Sequence, residues 1–166
     1  MTSVDLSSYT LKDVLLSALK SEVDSKALYI GLAAQVKNGL LKDKLTYLAA
    51  EEEKHRAYLR KMFTAQFPKQ RLTRPATTPV PLPVVPVADE DIPLSTIIGH
   101  AMKAEQAAMA FYEAFSTKIS DPKAQRMIRY FADMERGHYE LLKVEQEAME
   151  RFEEADVYWS MVHVGP

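Results

Sequence analysis

The chain has 166 residues, 47% of them apolar, which is enough for one globular domain with a core of its own. Its formal charge of -2 comes from interleaved acids and bases rather than a basic face, so nothing points to nucleic acid or an anionic membrane as partner. There is no cysteine, which excludes a disulfide framework, a thiol nucleophile, a zinc ribbon and any thiolate-held iron within the chain.

Between Leu11 and Lys37 the apolar residues Val14, Leu15, Ala18, Leu19, Val23, Ala27, Ile30 and Ala34 recur at helical spacing. Thr10 stands ready to cap this helix, with Asp13 three residues on. Asn38 and Gly39 punctuate it, and a second periodic stretch runs from Leu40 to about Phe67, before Pro68. Residues 68–93 are rich in proline, which removes backbone donors and favours extended geometry, so this stretch reads as a long crossover. A third helix is expected from about Leu94 to Ile119. Asp121 and Pro122 then supply a cap and a first-turn proline for a fourth, running to about Glu154. Residues 155–166 are left as an apolar tail able to dock on the bundle or a partner. The expected architecture is all-α, one four-helix bundle made of hairpins 11–67 and 94–154.

The two hairpins repeat. Ala18, Lys20, Glu22, Ala27, Tyr29, Tyr47, Ala49, Glu52 and His55 recur 83 residues later as Ala101, Lys103, Glu105, Ala110, Tyr112, Tyr130, Ala132, Glu135 and His138.

Glu52 and His55 are three apart on the second helix, as are Glu135 and His138 on the fourth, so each pair projects from one helix face. Such spacing alone is common on solvated helices. Hairpin register adds weight, because Glu22 and His55 are equidistant along the chain from the Asn38-Gly39 turn, and Glu105 and His138 from the Asp121-Pro122 turn. Each hairpin therefore puts two carboxylates and an imidazole at its middle level. The residues one turn away are mostly apolar: Ala18 and Leu19 beside Glu22, Ala101, Met102 and Met109 beside Glu105, Phe131 and Ala132 beside Glu135. Lys26 and Arg56 are placed to pair with Glu22 and Glu52, but their repeat counterparts Met109 and Tyr139 carry no charge.

Buried carboxylates without cations are costly unless protonated or bound to metal. Two divalent ions would balance the four carboxylates, with neutral imidazoles completing the set. Hard oxygen donors with imidazole suit iron or manganese, or a mixed pair, better than zinc, which favours closed four-ligand sites.

A lone Glu on the first and third helices with Glu-x-x-His on the second and fourth resembles the ferritin-like di-iron carboxylate superfamily. The motifs are SEVDSKALY with EEEKH, and AEQAAMAFY with MERGH. The duplication, and the Tyr seven residues after each lone Glu, are similar to the rubrerythrin-related branch. The resemblance implies Glu52 and Glu135 as bridging ligands and Glu22 and Glu105 as terminal ones. It implies reduction of hydrogen peroxide, or of dioxygen, at two irons. Tyr29 and Tyr112 are placed to hydrogen-bond a ligand carboxylate from the opposite hairpin.

Two departures stand out. Rubrerythrins proper usually carry a cysteine-held iron domain as electron donor, and the lack of cysteine here implies a separate donor protein or a small reductant. They also carry a further glutamate three residues after the third-helix ligand, where this chain has Ala108, with Ser25 at the symmetric position. The six-ligand set that remains is nearer bacterioferritin, so ferroxidase activity with iron storage or delivery is the alternative, and a non-catalytic metal-binding scaffold a further one. The connector and tail favour a homodimer. With no apolar run of roughly 18 residues and no export signal at the start, the expected location is cytoplasmic.

Overall fold

In the computed structural model, residues 5–80 and 93–163 are described, with side chains through Glu153. They form four helices: α1 (Leu11–Gln35), α2 (Gly39–Gln66), α3 (Leu94–Ser116) and α4 (Pro122–His163). Residues 81–92, the centre of the proline-rich crossover, lie outside the described residues.

Local chemistry sets the helix ends. At α1 a full capping box forms, with Thr10 Oγ1 accepting from the Asp13 backbone N–H at 3.2 Å and Asp13 accepting from the Thr10 N–H at 3.1 Å. Asn38 Oδ1 accepts from the Leu41 N–H to start α2, and Asp121 from the Ala124 N–H beside Pro122 to start α4. Helix α3 follows Pro93, which has no side-chain cap bond to give. Glu153 of α4 supplies the acceptor instead, taking the Ser95 N–H at 3.1 Å and its hydroxyl at 2.6 Å.

Two ends differ from the sequence expectation. Helix α3 stops at Ser116 rather than near Ile119. The hydroxyls of Ser116 and Thr117 bond back to the carbonyls of Glu113 and Ala114, and the last backbone bonds tighten to three-residue turns at Thr117 and Lys118. Helix α4 continues to His163 and takes in most of the stretch expected as a tail, because no Gly or Pro interrupts the chain between Gly137 and Gly165. At 42 residues it is much the longest of the four. No helix among the described residues is long and apolar enough to cross a membrane.

Helix α1 packs along α2 and α3 along α4. The buried apolar side chains fall into two clusters. One gathers Leu15, Leu19, Leu59, Phe63, Tyr112, Phe115 and Phe131 towards the start of α1 and the end of α2. The other gathers Tyr29, Leu32, Leu45, Leu48, Ile98 and Leu142 towards the opposite end. Each fully buried Leu or Phe contributes about 1.5–3 kcal/mol of transfer free energy, so both lobes are substantial. Between them lies a polar layer.

Gly137 does not mark the close helix approach that its place inside the second motif allows. It is exposed, and a Cβ there would meet nothing within 4 Å. Gly137→Ala is therefore expected to raise the unfolding free energy by about 1 kcal/mol through helix propensity alone. Urea denaturation of the two proteins checks this, and a loss of stability would mean that the site is tighter than its open surroundings indicate.

Candidate metal centre

The polar layer contains Glu22 of α1, Glu52 and His55 of α2, Glu105 of α3, and Glu135 and His138 of α4, all of them buried. Helical spacing brings each Glu-x-x-His pair to one face, and hairpin register levels it with the lone glutamate of the neighbouring helix. His55 Nδ1 lies 3.4 Å from Glu22 Oε2, 3.4 Å from Glu52 Oε2 and 3.1 Å from Glu135 Oε1. His138 Nδ1 lies 3.0 Å from Glu135 Oε2 and 3.7 Å from Glu105 Oε2. Both imidazoles thus turn Nδ1 inward.

Two groups of side chains able to hold an ion result: Glu22, Glu52, His55 and Glu135, and Glu52, Glu105, Glu135 and His138, with the donor atoms of each group within 4.8 Å of one another. Glu52 and Glu135 belong to both. A carboxylate common to two groups has the placement of a bridge, and a lone Glu with one His completes either end. Ala108 and Ser25 are buried as well, and they bring no further carboxylate to the layer.

Surrounding side chains fix the layer in place. Tyr112 Oη donates to Glu22 Oε1, and Tyr29 Oη donates to Glu105 Oε1. Each phenol reaches from one hairpin to a glutamate of the other. Phe131 stacks on the His55 ring at 4.5 Å and packs edge-on to Tyr112, so it walls one side of the centre. The sequence reading used Phe131 only as an apolar flank of Glu135; its contact with an imidazole on another helix has no signature in spacing.

The cations near the first hairpin do not serve the layer. Lys26 and Arg56 both bind Glu53, at 3.0 Å for Lys26 Nζ and 2.9 Å for Arg56 Nε. This overturns their expected pairing with Glu22 and Glu52: Glu53 faces the interhelical surface, where long side chains keep their charged ends wet. No Lys or Arg forms an ion pair with the glutamates of the layer among the described residues. Glu51 is buried beside its partner Lys54, outside the layer.

Without an ion, the layer must keep protons. Burial, then the charge of Glu52, pushes the Glu22 carboxyl well above its usual range; burial and Glu135 do the same to Glu105. For Glu135, burial alone would raise the pKa, but its bond with His138 and the nearby positive His55 imidazole outweigh it and hold it at about 2. His138, which burial would lower, is raised to about 10 by Glu105 and Glu135, and His55 is raised still more strongly by Glu135, Glu22 and Glu52. Burial and the Glu105 charge also push the Tyr29 phenol up, so it stays a donor.

Protons alone leave the layer unsatisfied. Glu22 Oε2, Glu135 Oε1 and both ring nitrogens of His55 are buried without a hydrogen-bond partner. Orphaned buried polar atoms cost about 1–3 kcal/mol each. Two divalent cations would be contacted by Glu22 Oε2, Glu135 Oε1 and the inward Nδ1 of His55 and would neutralise four carboxylates, so the residues fit a two-metal site.

Four helices around two carboxylate-histidine groups that share a pair of glutamates define a ferritin-like bundle. Solved structures with this fold include a hypothetical protein from Pyrococcus furiosus, 31% identical with a TM-score of 0.80 over 92% of this chain and 98% of that one. A putative ferritin-like diiron-carboxylate protein from Thermotoga maritima is 21% identical, with a TM-score of 0.68 over 83% of this chain and 95% of the other. No curated protein matches. Residues 13–146 match the rubrerythrin family, and the chain belongs to it.

Two outcomes are expected. Tyr112→Phe or Tyr29→Phe removes the donor to Glu22 or Glu105 and should weaken metal binding by about 10–100-fold, measured by Co(II) titration, while circular dichroism shows unchanged helicity. The raised imidazole pKa values mean that both rings hold protons at neutral pH and must release them to a metal. Affinity should therefore fall at least about tenfold per ion for each unit of pH lowered below the His138 value of about 10. Calorimetry in buffers of different ionisation heat counts the released protons, and binding that ignores pH would place the ions elsewhere.

Proposed function

We propose that this chain is a non-haem di-iron redox protein that reduces hydrogen peroxide, and dioxygen less efficiently, with electrons from a separate donor protein. The observation that carries the reading is the sharing of Glu52 and Glu135 between two four-residue groups, each completed by a glutamate and an inward imidazole nitrogen. Carboxylate oxygen with imidazole favours iron over zinc, and admits manganese or a mixed pair. Membership of the rubrerythrin family supports iron, as does the likeness to a protein described as a diiron-carboxylate protein.

When bound, two ferrous ions supply the two electrons that, with two protons, convert hydrogen peroxide to two waters. The chain's own residues set the conditions. Glu22 and Glu105 are held against rotation by Tyr112 and Tyr29. Phe131 and the two apolar lobes keep bulk water from the layer. The Tyr29 and Tyr112 hydroxyls are the nearest proton-bearing groups hydrogen-bonded to the terminal carboxylates. The chain offers no thiolate to hold an iron donor site of its own, which supports electron supply by a separate protein.

A second reading, ferroxidase filling with iron storage or delivery, is favoured by one observation: apolar Ala108 and small Ser25 stand where a mobile extra carboxylate would be needed to shift an ion between ligands. Assembly separates the two, since storage needs a large hollow cage and a peroxide reductase works as the homodimer we favour. Anaerobic titration should load about two Fe(II) per chain, and Glu135→Ala, which removes a shared ligand, should weaken both sites together. Rapid mixing of the loaded protein with peroxide should oxidise the iron stoichiometrically within seconds. No reaction with peroxide, together with fast oxidation by dioxygen in a cage-sized particle, would transfer the assignment to iron storage.

A further inference from the structure

The outer face of the α1 and α2 hairpin carries a groove with no part in the metal centre. After α2 the chain doubles back, and residues 71–76 lie across α1. A cleft of about 740 Å³ opens between them, lined by Lys20 and Asp24 of α1 and by Arg71 and Arg74 of the returning segment. A second of about 340 Å³ adjoins it, sharing Val23, Leu72 and Arg74 and adding Arg56 and Arg60 of α2.

The charge here is lopsided. Asp24 is occupied by Lys20 at 2.6 Å, and Glu53 is shared between Arg56 and Lys26. The guanidiniums of Arg60, Arg71 and Arg74 make no ion pair among the described residues, and all three side chains are exposed. Although acids and bases interleave along the sequence, the two clefts are lined by Lys20, Arg56, Arg60, Arg71 and Arg74 with Asp24 the one acid among the described lining residues. Three guanidiniums around one groove, without an ion pair among the described residues, repel one another, and an anion held between them relieves that repulsion.

We propose that this groove binds a phosphate-bearing anion. Arg74 stands where the two clefts meet, with Arg71 on one side and Arg60 on the other, so the groove offers forked, charge-assisted donors to a chain of phosphate oxygens. Leu72 and Val23, common to both clefts, give an apolar floor for any organic group attached to the phosphates. Inorganic polyphosphate and a nucleoside diphosphate share this chemistry.

Isothermal calorimetry of the full, metal-free chain with pyrophosphate, and separately with ADP, tests the assignment without chelation of iron. At low salt we expect binding of pyrophosphate with a Kd below about 1 mM, weakening as salt rises. Arg74→Glu, and independently Arg60→Glu or Arg71→Glu, should weaken it at least about tenfold while helicity is retained. Arg136→Glu is the control, since Arg136 sits on α4 paired with Glu113 and Asp133. ADP binding several-fold tighter than pyrophosphate would support the site with an organic phosphate as occupant, and equal affinities would support it with the phosphates alone. Undetectable heat with both probes, or an equal loss in the Arg136 variant, overturns the proposal.

Discussion

Everything in this bundle is arranged around the expense of burying six ionisable side chains at one level. Four carboxylates and two imidazoles sit between two apolar lobes with no lysine or arginine reaching them among the described residues. Left to themselves they share protons unevenly, so that Glu22 and Glu105 become harder to ionise while Glu135 stays charged against two imidazoliums. That settlement is poor, because several inward atoms still lack partners. A layer that no combination of protons satisfies well is one that divalent ions can improve, and this instability links the fold to its chemistry.

The lobes and the layer depend on each other through the two tyrosines. Tyr29 belongs to one apolar lobe and Tyr112 to the other, yet each spends its hydroxyl on a glutamate of the opposite hairpin. Hydrophobic packing thereby positions a polar atom, and the polar atom in turn holds the hairpins in register. Glu153 repeats the pattern at the periphery, where α4 supplies the acceptor that α3 lacks at its first turn.

Much of this was legible in the sequence because helical periodicity, turn punctuation and the repeat are all local or arithmetical properties. Thr10, Asn38 and Asp121 announce helix starts by their side-chain chemistry, and register about each turn brings Glu22 to His55 and Glu105 to His138. What escaped depends on three-dimensional competition. Lys26 and Arg56 are spaced correctly for the buried glutamates, but Glu53 lies nearer to water and wins both. The length of α4 turned on the absence of a breaker rather than on any positive signal. The cationic groove exists only because residues 71–76 return across α1, and no pattern within a proline-rich stretch states which helix it will cross.

The duplication made a centre whose two ends have matching ligands, but the surfaces outside them have not stayed alike. Lys26 and Arg56 correspond to Met109 and Tyr139, and the returning segment adds Arg71 and Arg74 to the first hairpin alone. A chemically twofold centre is therefore set inside an electrically one-sided protein. An ion held through Glu22 and His55 would be gripped by the hairpin that carries this excess of positive side chains, and a positive field favours the less charged oxidation state. Matching ligands would then sit in unequal fields, and the inequality would come from the surface rather than from the ligands.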